Sequence, residues 1–572
     1  MNKVRICLLA VVVLLAGLVA FGLGSRPRVQ DAESQQFSAE RVVKDIEVIS
    51  RNHHSVAHPA ERAEVRDYLV SRLNELGADT VQLFEYKSLT GPQNKHVTYT
   101  FDATDVLATF APGGGEPATS LLMVAHYDSR YSQPIGRNDT VWSYGAADDG
   151  YGVGVILETV KQALKYRDSW KQGLKVLFTD AEEVGMMGMK AIWENNREQF
   201  SDVGFMINLE ARGPFGPALL FETSPGNEKV MELYQSAAKY PFTYSLTTVV
   251  YSFMPNFTDF TVVKDEIPGM NFSTIADINH YHTNLDNFSN VNAKSIQHYG
   301  SQVVPVVQKY LTEEKYSDRG SLVSDKDTIN FTLPLLGLFN FSKGEYILLN
   351  TIVFVLFAFV LVIEVLRGRA NAVKILRESL KALLLALCAL AAGELVAFIA
   401  CLIAGVQFKP FGIVQGIRGD NLIMAVSVII MVALVAGVHL LKRKKALGSA
   451  ANSLRKNAGT AVALTISTNK LYGVLLLMTL LSLVLLIFIN ENLMFFIPLF
   501  AATAGMLLYR LTKMQVWLLV AIALILLHAF SFLYALAMAL TIGAFGAVLM
   551  LAMLDVLVVV PLTELYITNK LH

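Results

Sequence analysis

Two adjacent glutamates, Glu182 and Glu183, stand where a predicted strand gives way to a loop. The apolar run 174–178 predicts a buried strand before them, and 186–196 predicts a helix after them. Open α/β sheets place their active sites at such carboxyl ends of strands. Neighbouring carboxylates repel each other, and a metal ion beside them would offset that repulsion. One glutamate could then coordinate the metal while the other takes a proton from an attacking water.

Further residues of metal-binding type stand at other predicted strand-to-loop transitions. His126 ends a strand, and Asp128, two residues on, could orient its imidazole. Asp148 lies in a glycine-flanked loop before a helix, where a carboxylate can bridge two cations. Glu210 ends another strand, and His282 follows later. A solvated turn or a surface histidine is the ordinary interpretation of each one alone, but their occurrence in one region favours a shared metal site.

Cysteine plays no part in this predicted site. The chain has three cysteines, Cys7, Cys388 and Cys401, and each lies in an apolar run. The polar half therefore has no disulfide and no thiolate ligand, and any metal there is held by histidine and carboxylate. Nothing resembles a nucleic-acid-binding module and no repeat of fixed period is evident, so no nucleic-acid partner is expected.

Charge and hydropathy divide the chain into two parts. Residues 25–345 contain 29 Lys and Arg against 41 Asp and Glu, a balance of −12, whereas 346–572 contain 17 against 7, a balance of +10. An acidic water-soluble part thus precedes an apolar basic part. The predicted domains are an N-terminal transmembrane anchor at 1–24, a linker at 25–37, a globular domain at 38–315, a connector at 316–345 and a transmembrane helical domain of about seven spans at 346–572.

The globular part alternates predicted strands with predicted helices. Besides the strand and helix around Glu182, the strands are 97–101, 106–110, 121–125, 203–209 and 218–221, and the helices 38–49, 59–76, 151–164 and 227–239. Such alternation is typical of an α/β fold, with a mixed sheet flanked by helices.

Five motifs in this region occur in a recognisable order. They are HYDS at 126–129, GAADDGYG at 145–152, TDAEEVGMMG at 179–188, NLEARG at 208–213 and YHTNLD at 281–286. Together they resemble the ordered signature of the co-catalytic di-zinc exopeptidases of the aminopeptidase Y and leucyl aminopeptidase type. The membrane-anchored branch, the endoplasmic reticulum metallopeptidase and vacuolar membrane protease group, is the closer match. Five motifs in the same order are a specific signal, although no single one is.

This resemblance implies a site and a reaction. Two zinc ions would be held by five side chains, namely His126 and Glu210 on one ion, Glu183 and His282 on the other, and Asp148 bridging both. Glu182 would be the general base, and Asp128 would orient His126. Many soluble members have aspartate where this chain has Glu210, and the longer side chain could alter the metal spacing.

The implied function is a zinc-dependent aminopeptidase that hydrolyses N-terminal residues of peptides. Two alternatives stay open, a peptide-binding receptor or transporter with a non-hydrolytic outer domain, and a glutaminyl-cyclase-like enzyme on the same fold. All the implied ligands are present, which argues against a metal-free receptor. Arg212, two residues after Glu210, could recognise a substrate carboxylate, although a structural ion pair is the more ordinary role.

Eight apolar stretches are long enough to cross a bilayer. The first, at 6–23, follows Lys3 and Arg5 and predicts an uncleaved anchor. The others lie near 346–366, 382–405, 421–441, 471–489, 493–509, 515–534 and 537–560. If 25–345 lie outside the cytoplasm, 15 of the 17 basic residues after 345 fall on the inner side. The positive-inside rule then predicts cytoplasmic termini and a globular domain in the periplasm, the cell exterior or an organelle lumen.

Three ionisable residues fall inside these predicted spans. Glu394, His528 and Asp555 are costly to bury in hydrocarbon, so each needs a partner or a function. Structural pairing across the helix bundle is the role expected for them. The oligomeric state stays open at this point.

Overall fold

The computed structural model describes residues 2–22, 27–94, 97–115, 117–131, 133–135, 139–252, 256–451 and 456–568. The chain divides into two compact units. The globular unit comprises 23–332 and 336–342, and the helical unit comprises 1–22, 333–335 and 343–572.

Eleven strands are found among the described residues, all within or at the edge of the globular unit. They are β1 (Thr80–Asn94), β2 (Val97–Phe110), β3 (Ser120–His126), β4 (Gln133–Ile135), β5 (Asp139–Val141), β6 (Gly173–Thr179), β7 (Val203–Ala211), β8 (Phe215–Thr223), β9 (Gly269–Ala276), β10 (Thr328–Leu333) and β11 (Gly337–Ser342).

The α-helices are divided between the two units. Among the described residues, the helical unit contains the first helix and the last seven, and the globular unit contains the eight between them. In chain order they are α1 (Asn2–Phe21), α2 (Ala39–Ile49), α3 (Pro59–Glu75), α4 (Gly150–Ala163), α5 (Met187–Asn195), α6 (Glu228–Ala237), α7 (Ser245–Ser252), α8 (Asp259–Val263), α9 (Ala293–Thr312), α10 (Lys343–Leu366), α11 (Ala372–Ala404), α12 (Asp420–Ala451), α13 (Lys456–Ile489), α14 (Leu493–Thr512), α15 (Val516–Leu540) and α16 (Phe545–Thr568).

Seven strands form one mixed sheet in the order β1-β2-β6-β3-β7-β9-β8. The four central strands β6, β3, β7 and β9 are parallel to one another. The edge strands β2, β1 and β8 join antiparallel. The predicted α/β class with a mixed sheet flanked by helices is confirmed.

Strand β3 shows why the sheet is buried on both faces. Leu121 and Met123 belong to a large apolar cluster that includes side chains of α4 and α9. Leu122 and Val124 belong to a second cluster, with side chains of α5 and α8. Because side chains alternate along a strand, the continuous apolar run supplies both layers.

Several elements escape the sequence patterns, among them β1, β9 and α9, and β2 is continuous where two shorter strands are predicted. Polar residues inside these strands hide the alternation that identifies a strand. Asp105 in β2 and Asn271 in β9 are both fully buried. Their side chains are hydrogen-bonded, since Asp105 accepts from the amide of Asp180 and Asn271 donates to Glu222. Hydrogen bonds to distant residues therefore allow polar side chains inside a buried strand, where the sequence pattern alone predicts a loop.

The segment predicted as a connector, 316–345, is mostly packed against the globular unit. Tyr316 and Leu322 belong to the large apolar cluster. Strand β10 pairs with β11, and Phe331 of β10 bridges to Tyr244. The Thr328 amide donates to Asn227 at 2.8 Å. The compact unit thus continues to 342, beyond the predicted boundary at 315.

Eight helices of the helical unit are long and apolar enough to cross a membrane, counted over the described residues. The predicted anchor and seven spans give the same number. Residues 1, 23 and 24 of the predicted anchor lie outside the described part, as does the C-terminal tail from 569. The candidate spans are 3–21, 343–366, 372–404, 420–442, 467–489, 493–512, 516–540 and 542–568.

Buried carboxylates at the ends of these helices have partners. Glu364, near the end of α10, binds Arg510, near the end of α14, through both carboxylate oxygens. Glu564, near the end of α16, lies 2.7 Å from the His439 imidazole of α12 and also accepts from Ser467. These contacts satisfy charges that would be costly in hydrocarbon.

Of the three ionisable residues inside the spans, Glu394 has a partner across the helix bundle within the residues described. In the described ranges, no hydrogen bond or ion pair links Glu394, His528 and Asp555 to one another. Glu394 accepts instead from the Gly546 amide at 3.2 Å, at the start of α16. Both ring nitrogens of the buried His528 have no hydrogen-bond partner among the residues described.

Candidate metal centre

The carboxyl ends of the four parallel strands bring the predicted site residues together. His126 is the last residue of β3, and the Glu182 turn begins two residues after β6. Glu210 is the penultimate residue of β7, and His282 lies in the loop after β9. Asp148 lies just before α4. Residues more than 150 positions apart in sequence thus meet at one edge of the sheet.

Asp148 faces two imidazoles with its two carboxylate oxygens. Its Oδ1 lies 3.4 Å from Nε2 of His126, and its Oδ2 lies 3.3 Å from Nε2 of His282. Glu210 Oε2 is 3.8 Å from the first imidazole, and Glu183 Oε2 is 3.0 Å from the second. The five residues predicted as metal ligands therefore form one continuous group.

Two groups of three ligand atoms can be distinguished within this region. Asp148, Glu183 and His282 form one, with their ligand atoms within 4.8 Å of one another. His126, Asp149 and Glu210 form the other group, and their ligand atoms also lie within 4.8 Å of one another. No role is assigned to Asp149 from the sequence, although its position next to Asp148 could have marked it as a candidate ligand. Its Oδ1 caps α4 by accepting from the Gly152 amide at 2.9 Å.

Several atoms at the centre of the group are buried without a hydrogen-bond partner. They are Asp148 Oδ2, Asp149 Oδ2, Glu183 Oε1 and His282 Nε2, judged within the residues that the structure describes. Buried polar atoms are nearly always paired, so four such atoms in one place require an explanation. A divalent cation provides one, because imidazole nitrogen and carboxylate oxygen are its usual protein ligands. The donor set fits zinc.

The pKa shifts of the buried carboxylates also favour a bound cation. Burial raises the pKa of Glu210 to about 8 and also raises the pKa of Glu182 and Glu183. Burial acts on Asp148 as well, but the His126 and His282 imidazoles beside it outweigh that effect and lower the Asp148 pKa. A cation among these carboxylates would stabilise their charged forms.

Asp128 contacts both His126 and the pair of glutamates. Its backbone carbonyl accepts from Nδ1 of His126 at 2.9 Å, which leaves Nε2 to face Asp148. Its carboxylate lies 3.5 Å from Nδ1. The same carboxylate accepts from the amides of Glu182 at 2.9 Å and Glu183 at 3.3 Å. Asp128 thus orients the imidazole and also holds the turn that carries the two glutamates.

Two more residues position the site without a role assigned from the sequence. Arg130 donates to the backbone carbonyl of Glu183 and lies 3.3 Å from its carboxylate. Asp286 accepts from the amides of Ala147 at 2.6 Å and Asp148 at 3.3 Å. Asp286 is the last residue of the motif at 281–286, which is the signal that marks it. No local pattern distinguishes Arg130, since its contact is formed only in the folded chain.

The fold and the site define an α/β protein with a buried histidine and carboxylate centre at the carboxyl edge of its sheet. Residues 105–307 match Peptidase family M28. This match covers 203 of the 572 residues and lies within the globular unit.

Curated relatives match part of this chain and are longer than it. A vacuolar membrane protease of Candida dubliniensis is 26% identical over 322 residues, which are 55% of this chain and 32% of the relative. Endoplasmic reticulum metallopeptidase 1 of Mus musculus is 28% identical over 221 residues, 38% of this chain and 23% of the relative. The aligned part therefore spans about a third or less of these relatives' length.

Solved structures align with about half of this chain. A Zn-dependent exopeptidase from Parabacteroides distasonis is 19% identical, covers 48% of this chain and 98% of its own, and has a TM-score of 0.37. A glutaminyl cyclase from Porphyromonas gingivalis is 20% identical, covers 49% and 100%, and has a TM-score of 0.39.

Proposed function

We propose that the protein is a membrane-bound, zinc-dependent exopeptidase that removes N-terminal residues from peptides. The observation that carries the proposal is the carboxylate of Asp148, whose two oxygens face the His126 and His282 imidazoles. This is the arrangement expected of a carboxylate shared by two metal ions. The match of residues 105–307 to Peptidase family M28 supports peptide hydrolysis.

We assign each ligand to one of two zinc ions. His126 and Glu210 would hold the first, Glu183 and His282 would hold the second, and Asp148 would be shared by both. Asp149 groups with His126 and Glu210 by distance, but its Oδ1 already caps α4, so we assign it no metal.

The two zinc ions, when bound, supply positive charge that polarises a scissile carbonyl and acidifies a water molecule. Glu182 then takes the proton from that water and returns it to the leaving amine. Its place beside Glu183, in a turn that Asp128 holds by two hydrogen bonds, fixes the base next to the metal ligands. Asp128 and Arg130 act by positioning that turn.

The proposal is tested with the full-length protein, purified in detergent and analysed for metal. We expect about two zinc ions per chain, release of the first residue from short peptides, and loss of that release after chelation, because the proposed reaction depends on bound zinc. Restoring zinc should restore activity.

Acetylating the peptide amine is the matched control, since an exopeptidase must register the chain end, and we expect much slower cleavage. Peptide binding without cleavage by the zinc-loaded protein would instead support the receptor alternative. Loss of ammonia from an N-terminal glutamine, with no peptide bond broken, would support a glutaminyl cyclase.

We further propose that both chain termini lie in the cytoplasm and that the globular unit lies on the opposite side of the membrane. Arg5 in the first turn of α1 donates to the carbonyls of Tyr566 and Ile567 near the end of α16. The start of the first span and the end of the last span therefore lie on the same side of the membrane. The clustering of basic residues on one side sets the direction.

A reporter fused after Lys445 is expected to lie in the cytoplasm, and one inserted within 27–37 on the opposite side. The reason is the 15-to-2 distribution of basic residues between the two sides. The activity of a compartment-specific reporter fused at each position shows on which side of the membrane that position lies. A fusion within the 406–419 loop is the control, because that loop should share the side of 27–37. Equal reporter behaviour at Lys445 and in the 406–419 loop would contradict the topology.

A further inference from the structure

Arg212 comes directly after β7, two residues beyond the predicted metal ligand Glu210. Its amide donates to the Thr274 carbonyl at 2.8 Å and to the Ser273 hydroxyl at 3.1 Å, which continues the pairing of β7 with β9. Side chains two residues apart on an extended strand leave on the same face. Arg212 therefore points to the side of the sheet on which Glu210 meets the metal group.

The guanidinium of Arg212 lies beside the metal centre. It lies over the Tyr281 ring, 5.6 Å from its centroid. That ring is stacked on the His282 imidazole, with centroids 3.6 Å apart. A fixed aromatic ring thus separates the cation from a predicted metal ligand.

No carboxylate of the described chain pairs with this guanidinium, so the structural ion pair expected for Arg212 is not found there. Other half-buried or buried arginines of the globular unit differ. Arg41 pairs with Glu158, Arg72 with Asp45 and Arg130 with Glu183. A half-buried arginine without an anion, next to a site for substrate, is available to bind one.

The Tyr251 hydroxyl is a second possible hydrogen-bond donor, and it interacts electrostatically with Arg212 and Glu210. The hydroxyl of Tyr251 is buried and has no hydrogen-bond partner in the part of the chain described. Its ring packs edge-on against Phe221, with centroids 4.9 Å apart. Burial raises its pKa, the charges of Glu222 and Glu210 add to this effect, and the charge of Arg212 opposes it. The hydroxyl therefore stays protonated and can donate.

We propose that Arg212, aided by the Tyr251 hydroxyl, forms a carboxylate-binding subsite beside the metal centre. This inference rests on the proposed peptidase function and adds its substrate class, which is short peptides that carry a carboxylate near the bond to be cleaved. The carboxylate has two possible sources, the free C-terminus of a very short peptide or an acidic side chain. Guanidinium recognises both by the same paired hydrogen bonds.

Three peptides separate the two sources. They are trialanine with a free C-terminus, trialanine amide, and a tripeptide amide with aspartate in the second position. We expect the full-length enzyme to cleave at least one carboxylate-bearing peptide with a kcat/KM about 10- to 100-fold above trialanine amide, as for loss of one charged hydrogen bond. R212M should abolish that preference by lowering kcat/KM for the carboxylate-bearing peptides much more than for trialanine amide. R212K should keep part of it, because the charge remains but the planar fork is lost.

R197M is the matched control, because Arg197 also lies over an aromatic ring, that of Trp193, but pairs with Glu266 on the exposed surface. It should leave the preference unchanged. Equal kcat/KM values for all three peptides in the parent enzyme would overturn the subsite. So would an equal loss for all three in R212M, since that would make Arg212 a positioning residue.

Binding keeps this test separate from the proposed function. Calorimetric Kd values of the three peptides are compared for E182Q and for E182Q combined with R212M. A carboxylate preference in E182Q that disappears in the double variant supports the subsite even if the parent protein cleaves nothing. Cleavage by the parent protein without any carboxylate preference in Kd or kcat/KM refutes the subsite and leaves the peptidase proposal intact.

Discussion

Replacing Glu182 by glutamine is expected to lower kcat for peptide hydrolysis by about a hundredfold to ten-thousandfold, the usual contribution of general acid–base catalysis. Zinc content should not change, because Glu182 is not a ligand in the proposed site. The Glu182 amide, which donates to Asp128, is untouched by the substitution, so the turn should keep its shape. Steady-state kinetics and metal analysis of the purified variant measure both effects.

Glu183→Gln is the matched control, because it makes the same chemical change one residue further along the same turn. Glu183 Oε2 lies 3.0 Å from the His282 imidazole, so this variant should lose zinc affinity together with activity. If Glu182→Gln loses zinc and Glu183→Gln keeps it, the roles of the two glutamates are exchanged. If Glu182→Gln keeps full activity, Glu182 is not the base.

Ending a soluble fragment at 315 instead of 342 is expected to unfold the globular unit. Tyr316, Leu322, Ile329 and Phe331 are at most 6% exposed. Burying such side chains contributes about 1.5–3 kcal/mol each. Their combined loss is comparable with the whole stability of a domain, about 5–15 kcal/mol. The fragment 27–342 should therefore unfold cooperatively, whereas 27–315 should show no cooperative transition.

Thermal and urea unfolding, followed by circular dichroism, compare the two fragments. Phe331→Ala in the longer fragment is an intermediate control, expected to lower its stability by about 3–5 kcal/mol without removing the hairpin. An equal urea midpoint for the two fragments would show that 316–342 adds nothing to the fold. Activity of the folded fragment 27–342 would also show that the chemistry needs no residue of the helical unit.

The sequence by itself identifies the parts of this protein that depend on local pattern. Apolar runs predict three of the four central strands, β6, β3 and β7, and eight helices long enough to span a bilayer. Burial in the sheet or in hydrocarbon imposes a period or a length on neighbouring residues. The same patterns place His126, Glu182 and Glu210 at strand ends, where chemistry is expected. The residue types of the site and their places at strand ends can therefore be predicted from the sequence alone.

Only the tertiary structure decides which residues hold these ligands in place. Arg130 and Asp286 contact the Glu183 turn and the Asp148 loop from positions 53 and 138 residues away. The residues 316–342 look like a polar connector, yet they pack on the globular unit because Tyr316, Leu322 and Phe331 find apolar partners far away in the chain. Such contacts depend on pairs of distant residues, and a pattern read along one sequence records only neighbours.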